Sequence, residues 1–219
     1  MVDEYFNKFL TEKAFAPAID YQPTNSSTLE RYKEKLPDRL LQYWQEYGFC
    51  GYAEGLFWVV NPAEYEDILE KWMKGSPRWE REKFYVIART AFGALYVINT
   101  DSLKTTIINP HLCSILPGNP ANKELTEEEK ARHIGVFFQL KRKESLDFLD
   151  QKNKPLFQRT LEKLGPIQHD EMYTFVPALA SGGIADIKNI KIVKIHEQLA
   201  MLAELDTPVI LPSASELFG

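Results

Sequence analysis

Between residues 36 and 65 the chain reads LPDRLLQYWQEYGFCGYAEGLFWVVNPAEY, and the punctuation of this stretch restricts the fold more than any other. Pro37 suits the first turn of a helix over 38–47. In that helix Leu40, Leu41, Trp44 and Tyr47 recur at helical spacing and predict a core-facing stripe. Gly48 is placed to end it in a left-handed conformation, and Phe49-Cys50-Gly51 is expected to carry the chain back on itself. The segment 56–60 is too short for a helix and β-branched at its end, which predicts a strand. Asn61-Pro62 stops that strand and opens a helix over 62–73 with Asn61 as its cap. Tyr65, Ile68, Leu69 and Trp72 form its apolar side, and Glu64, Glu66, Asp67 and Glu70 lie on the others.

The flanking segments extend the pattern. Residues 3–13 predict a short helix with Tyr5, Phe6, Phe9 and Leu10 on one face. Residues 14–25 read as loop, and Ser26 or Ser27 then caps a helix, with Glu30 at the capping-box position relative to Ser27. Strands are expected over 84–90, 94–99 and 103–108, the first two joined as a hairpin through Phe92-Gly93; a fourth is expected over 111–115. The segment 116–122, LPGNPAN, is the best domain boundary. Thr126 caps the next helix, with Glu127, Glu128 and Glu129 in its first turn and Glu129 closing a capping box. Residues 135–140 either continue that helix or form a strand, and we take the strand. Residues 146–149 read as helical. Residues 155–164 form an amphipathic helix ended by Gly165-Pro166, followed by a strand over 171–176, an extended stretch through Ile190 and Ile195, a helix over 196–204 and a short tail. Helices followed by a meander of antiparallel strands define an α+β fold. N-terminal helices pack on an antiparallel sheet in a first domain, 1–116, and a smaller mixed α/β domain follows, 124–219.

Charge and composition exclude several functions. A formal charge of -5 argues against life on a phosphate backbone, which needs clustered Lys and Arg. Two cysteines build no disulfide framework, and four scattered histidines suggest no metal set. The start, MVDEYFNKFL, lacks the cationic region of a secretory peptide, and no apolar run approaches the ~20 residues of a membrane helix. These features imply a cytoplasmic protein with no cofactor, no membrane contact and no direct nucleic-acid partner.

Several constellations have a chemical reading and a structural one. Phe49, Tyr52, Phe57 and Trp58 resemble a base-stacking platform, but no Lys or Arg lies among them and strand aromatics are more often core. Ser181-Gly182-Gly183 after a strand offers a ligand loop, without a Walker or dinucleotide pattern; a plain turn is the simpler reading. Cys50 with His133 or His169 has no supporting spacing for a thiol–imidazole pair. His111 and Cys113 share a face only if the segment is extended, and two ligands do not make a zinc site. The carboxylates at 64–70 and 127–129 read as solvated helix faces, or as surfaces complementary to a basic partner.

As an ordered set, the motifs LPDRLLQYWQEYGFCGY, GLFWVVNPAEY, FYVIARTAFGALYV and TIINPHL resemble the GAD-like domain. The stretch YTFVPALASGGIADIKNIKIVKIHEQLAML, residues 173–202, resembles the C-terminal domain of type VI secretion immunity proteins. The opening LPxxLLxYWxxYG is also similar to the broader SMI1/KNR4-like superfamily. The resemblance implies a protein that is not an enzyme and that binds and neutralises a cognate effector toxin, a DNase among the candidates. Within that reading Glu64, Glu66, Asp67, Glu70, Glu127 and Glu128 are the expected acidic contacts, with Tyr52 and Trp58 as anchors if they are exposed. The rival readings are a hydrolase using an interdomain cleft and a small-molecule-binding regulatory module with Ser181, Gly182 and Gly183 as its ligand loop.

Overall fold

The computed structural model describes residues 3–76, 79–119 and 124–213. Its organising element is an eight-stranded sheet in the order β1-β2-β3-β4-β5-β6-β7-β10. The strands are β1 (Ile19–Gln22), β2 (Phe49–Tyr52), β3 (Phe57–Val59), β4 (Phe84–Thr90), β5 (Leu95–Asn99), β6 (Thr105–Asn109), β7 (Ser114–Leu116) and β10 (Val209–Ile210). Neighbours pair antiparallel, except that β10 runs parallel to β7. A separate antiparallel pair joins β8 (Glu171–Phe175) and β9 (Ile190–Lys194). The fold is α+β, as expected.

The central stretch forms largely for the anticipated reasons. Helix α3 (Asp38–Tyr47) stops at Gly48, whose φ of 63° suits glycine. Leu40, Tyr43 and Trp44 are its buried side chains. Phe49-Cys50-Gly51, expected as a reversal, is instead strand β2, buried at every position and paired on both edges. Its register places Gly51 opposite Trp58. A Cβ at Gly51 would lie 2.9 Å from the Trp58 ring, so the bare backbone lets the indole cross the strand. Asn61 caps as expected by accepting from the Ala63 amide, but residues 62–65 form a 3-10 turn before α4 (Glu66–Met73) begins.

Other expectations needed correction. The loop expected over 14–25 contains β1, an edge strand of only four residues, IDYQ, too short for its alternation to stand out among the flanking prolines. Asn25, not Ser26 or Ser27, caps α2 (Ser26–Tyr32) by accepting from the Thr28 amide. The strand expected from residue 111 starts only at Ser114, after a 3-10 turn over Pro110–Leu112. Residues 135–140 are not a strand: α5 (Glu127–Gln139) runs on, opened by the expected Thr126–Glu129 capping box. The helix expected over 146–149 lies earlier, as α6 (Lys143–Leu146); the amphipathic helix is α7 (Phe157–Leu164), and the tail after α8 (Ile195–Leu205) returns to the large sheet as β10.

Helices cover both faces of the sheet. On the face bearing Phe57 and Tyr96 lie α1 (Glu4–Leu10) and α5, in close contact with each other. Phe138 of α5 is fully buried there and meets the rings of Phe6, Phe9, Tyr43 and Phe57 with centroids 5.0–6.3 Å away, separations typical of edge-to-face aromatic pairs. On the face bearing Trp58, α4 packs against β4 and α8, and the Trp72 indole donates to the Leu199 carbonyl at 3.1 Å. Replacing Phe138 by Ala is expected to remove about 3–5 kcal/mol of stability, read as a lower urea midpoint in equilibrium unfolding followed by tryptophan fluorescence.

Candidate functional site

Two helices present the acidic residues. Glu64, Glu66, Asp67 and Glu70 are all exposed along the 62–73 segment, because Tyr65, Ile68, Leu69 and Trp72 take the inward side. They are not equivalent. Glu66 is held by the Arg31 guanidinium, with both carboxylate oxygens 2.6 Å from Nη2. Glu64, Asp67 and Glu70 make no ion pair among the described residues. Glu127 and Glu128 are also exposed, and Glu127 accepts from Lys130 at 2.7 Å. The two groups sit in different surroundings, since α4 neighbours β4 and α8 while α5 neighbours α1 and α3.

The aromatic anchors do not meet the condition placed on them. Tyr52 and Trp58 are each 1% exposed. Trp58 also has its one polar group engaged, the indole N–H donating to the Gly55 carbonyl at 2.7 Å. Both are core residues. The loop at Ser181-Gly182-Gly183 spends its own amides: Ser181 and Gly183 donate to the Ala178 carbonyl and Gly182 to the Leu179 carbonyl. No free row of N–H groups remains there to cradle an anion. Cys50 is buried, its thiol pushed up to about 11 chiefly by desolvation, which opposes a thiolate role. His111 and Cys113 do not share an extended face, since the first lies in a 3-10 turn and the second is left-handed at φ 43°.

A different polar centre was not singled out by sequence. Arg89, on β4, is fully buried with its guanidinium carbon 4.7 Å from the centroid of the Trp58 ring. Its Nη2 donates to the carbonyls of Gln168 at 3.3 Å and His169 at 2.8 Å, and its Nη1 to that of Thr90. Burial lowers its pKa, opposed by the Tyr65 phenol and the Asp170 and Asp20 carboxylates. The segment that Arg89 holds is gripped again from the edge strand β1, where Asp20 accepts from the His169 amide at 2.6 Å and lies 3.1 Å from its Nδ1. Lys194 adds an ion pair to Asp170 at 2.6 Å. This is a clamp on the chain rather than a reaction centre, because backbone carbonyls engage both Nη groups, leaving only Nε without a partner among the described residues. The sequence clue was a lone arginine in an otherwise apolar strand, FYVIART.

A second unclaimed group is His111. It is 3% exposed, and neither ring nitrogen makes a well-formed hydrogen bond among the described residues, although the Tyr173 backbone carbonyl lies close enough to favour the protonated ring. The rings of Phe148 and Phe175 stand edge-on to it at 5.9 and 5.0 Å. Desolvation lowers its pKa to about 4, so the imidazole is neutral at physiological pH.

Residues 4–112 match the family model of the GAD-like domain, and residues 131–206 match that of the T6SS immunity protein Tdi1, C-terminal. The chain therefore joins a GAD-like domain to a region of the type VI secretion immunity family, and the second match supports a role in type VI immunity. A solved structure described as the crystal structure of Atu4351 from Agrobacterium tumefaciens shares the fold, with TM-score 0.81 and 23% identity over 96% of this chain and 95% of that one. No curated protein matches the chain in sequence. Among the described residues, no helix is long and apolar enough to cross a membrane.

The buried imidazole gives a pH test. Because its folded pKa lies below the unfolded value of 6.5, acidification protonates the unfolded chain first and stability falls as pH drops from 6.5 towards 4. The full effect is roughly 3 kcal/mol. Urea midpoints at pH 7 and pH 4.5 should differ less in His111→Phe than in the wild-type protein.

Proposed function

We propose that the chain is a cytoplasmic immunity protein that binds and neutralises a cognate effector toxin of a type VI secretion system. The match of residues 131–206 to the immunity family carries this reading. The physical support is the exposed acid on the 62–73 segment. Glu64, Asp67 and Glu70 project from a helix whose other side is locked into the core, so their charge is presented on a rigid support. A fixed acidic surface steers a basic partner and raises its association rate. A DNA-cleaving effector suits such a surface, since it must carry a basic cleft for its polyanionic substrate. Glu66 contributes less, being neutralised by Arg31. Glu127 and Glu128 form a second, separate acidic contact. Neutralisation then requires no chemistry from this chain, only occupancy of the effector.

Co-expression with the product of the neighbouring effector gene tests the reading. Growth rescue and a co-purifying complex are expected; persistent killing without a complex would overturn the assignment for that pair. Within a confirmed complex, the triple variant Glu64→Lys, Asp67→Lys, Glu70→Lys should slow association by about tenfold or more at low ionic strength, with a smaller loss at high salt. An unchanged rate constant measured by stopped-flow or surface plasmon resonance would remove the acidic surface from the interface.

A further inference from the structure

A pocket of about 200 Å³ lies where the two matched regions meet. From the first region it is walled by the β4–β5 hairpin with Phe92, Ala94 and Tyr96, and by His111; from the second it is closed by Ser145, Asp147 and Phe148. Its position owes nothing to the acidic surface, and its polar groups are incompletely used. His111 is buried with the Tyr173 backbone carbonyl as the one acceptor acting on its ring, and at least one ring nitrogen has no partner among the described residues. Asp147 spends one oxygen, Oδ1, on the amides of Phe148, Leu156 and Phe157, while Oδ2 has no hydrogen bond among the described residues. Ser145 donates its hydroxyl proton to the Arg142 carbonyl, which leaves the oxygen free to accept.

We propose that this junction pocket binds a small single-ring aromatic or heteroaromatic molecule carrying a hydrogen-bond donor. The size sets the scale, since a cavity of about 150 Å³ already admits benzene. Phe92, Tyr96 and Phe148 supply ring surfaces for stacked or edge-on contact. One face of Tyr96 is already covered by Lys141, whose Nζ lies 4.0 Å from the ring centroid, so Phe92 and Phe148 take the larger share. The polar end is set by what the pocket lacks. Its free groups include a carboxylate oxygen, a hydroxyl oxygen that can only accept, and the acceptor nitrogen of a neutral imidazole, which together call for a donor and disfavour an anion. A buried acceptor nitrogen left without a hydrogen bond is costly, and the N–H or O–H of a bound aniline or phenol would supply that bond. Because the walls come from both matched regions, occupancy would tie them together, and a ligand that binds only the folded chain raises its melting temperature.

The test uses the full chain with phenol, aniline, benzene and benzoate as probes. Thermal melts and ligand-observed NMR should show saturable binding of phenol and aniline, weaker binding of benzene and none of benzoate. Ala94→Leu, which fills the pocket from the hairpin side, should abolish the phenol shift while leaving the melting temperature of the free protein within a few degrees. If Ala94→Leu unfolds the chain, His111→Phe serves instead, removing the polar contact and weakening phenol at least tenfold relative to benzene. Absence of saturable binding by phenol and aniline, equal binding of benzoate, or phenol binding untouched by either substitution would each overturn the proposal. Because growth rescue by co-expression does not depend on these probes, failure here leaves the immunity reading standing, and failure there leaves this one.

Discussion

The insertion of one ring, Phe138, into the aromatic layer beneath the sheet is the contact on which the architecture depends. Phe6 and Phe9 come from the N-terminal helix, Tyr43 from α3 and Phe57 from the sheet, and all four meet Phe138 from a helix that lies beyond the segment 116–122. A fully buried aromatic contributes through both its area and its edge-to-face geometry. The buried residues of both matched regions consequently form one continuous hydrophobic cluster. The Trp72–Leu199 hydrogen bond repeats the arrangement on the opposite face.

Arg89 binds the same regions together by other means. A guanidinium fully removed from water is tolerable only if its donors are met, and here backbone carbonyls of residues 90, 168 and 169 meet most of them while Trp58 covers its plane. Carbonyl partners confer less charge compensation than a carboxylate, but they fix the path of a segment regardless of its side chains. The 168–169 turn is therefore held by its backbone, and Asp20 secures it from the side.

Much of this was legible in the sequence, and the exceptions have physical causes. Helix α3, its glycine stop, the β4–β5 hairpin and the Thr126 capping box were legible because each rests on local chemistry: spacing, a left-handed glycine, a turn, a reciprocal cap. What escaped depends on distant partners. GVFFQL looks like a strand by composition, yet Phe138 finds its pocket only if the helix continues. FCGY looks like a turn until the Trp58 ring is known to lie across Gly51. Among the site residues, exposure of the acids followed from helical periodicity, whereas burial of Tyr52 and Trp58 is set by strand pairing on both sides. The role of Arg89 was invisible because its partners are carbonyls, which every sequence possesses.

The parallel pairing of Val209–Ile210 with Ser114 and Ile115 lets a strand that follows the second matched region complete the large sheet. During synthesis, β1 to β7 emerge before the second matched region and β10 after it, so the β7 edge stays open until that region has been made. Such late, long-range closure slows completion of the fold and exposes an unpaired strand meanwhile. The final sheet thereby acts as a timer, completing only once the second region has been made.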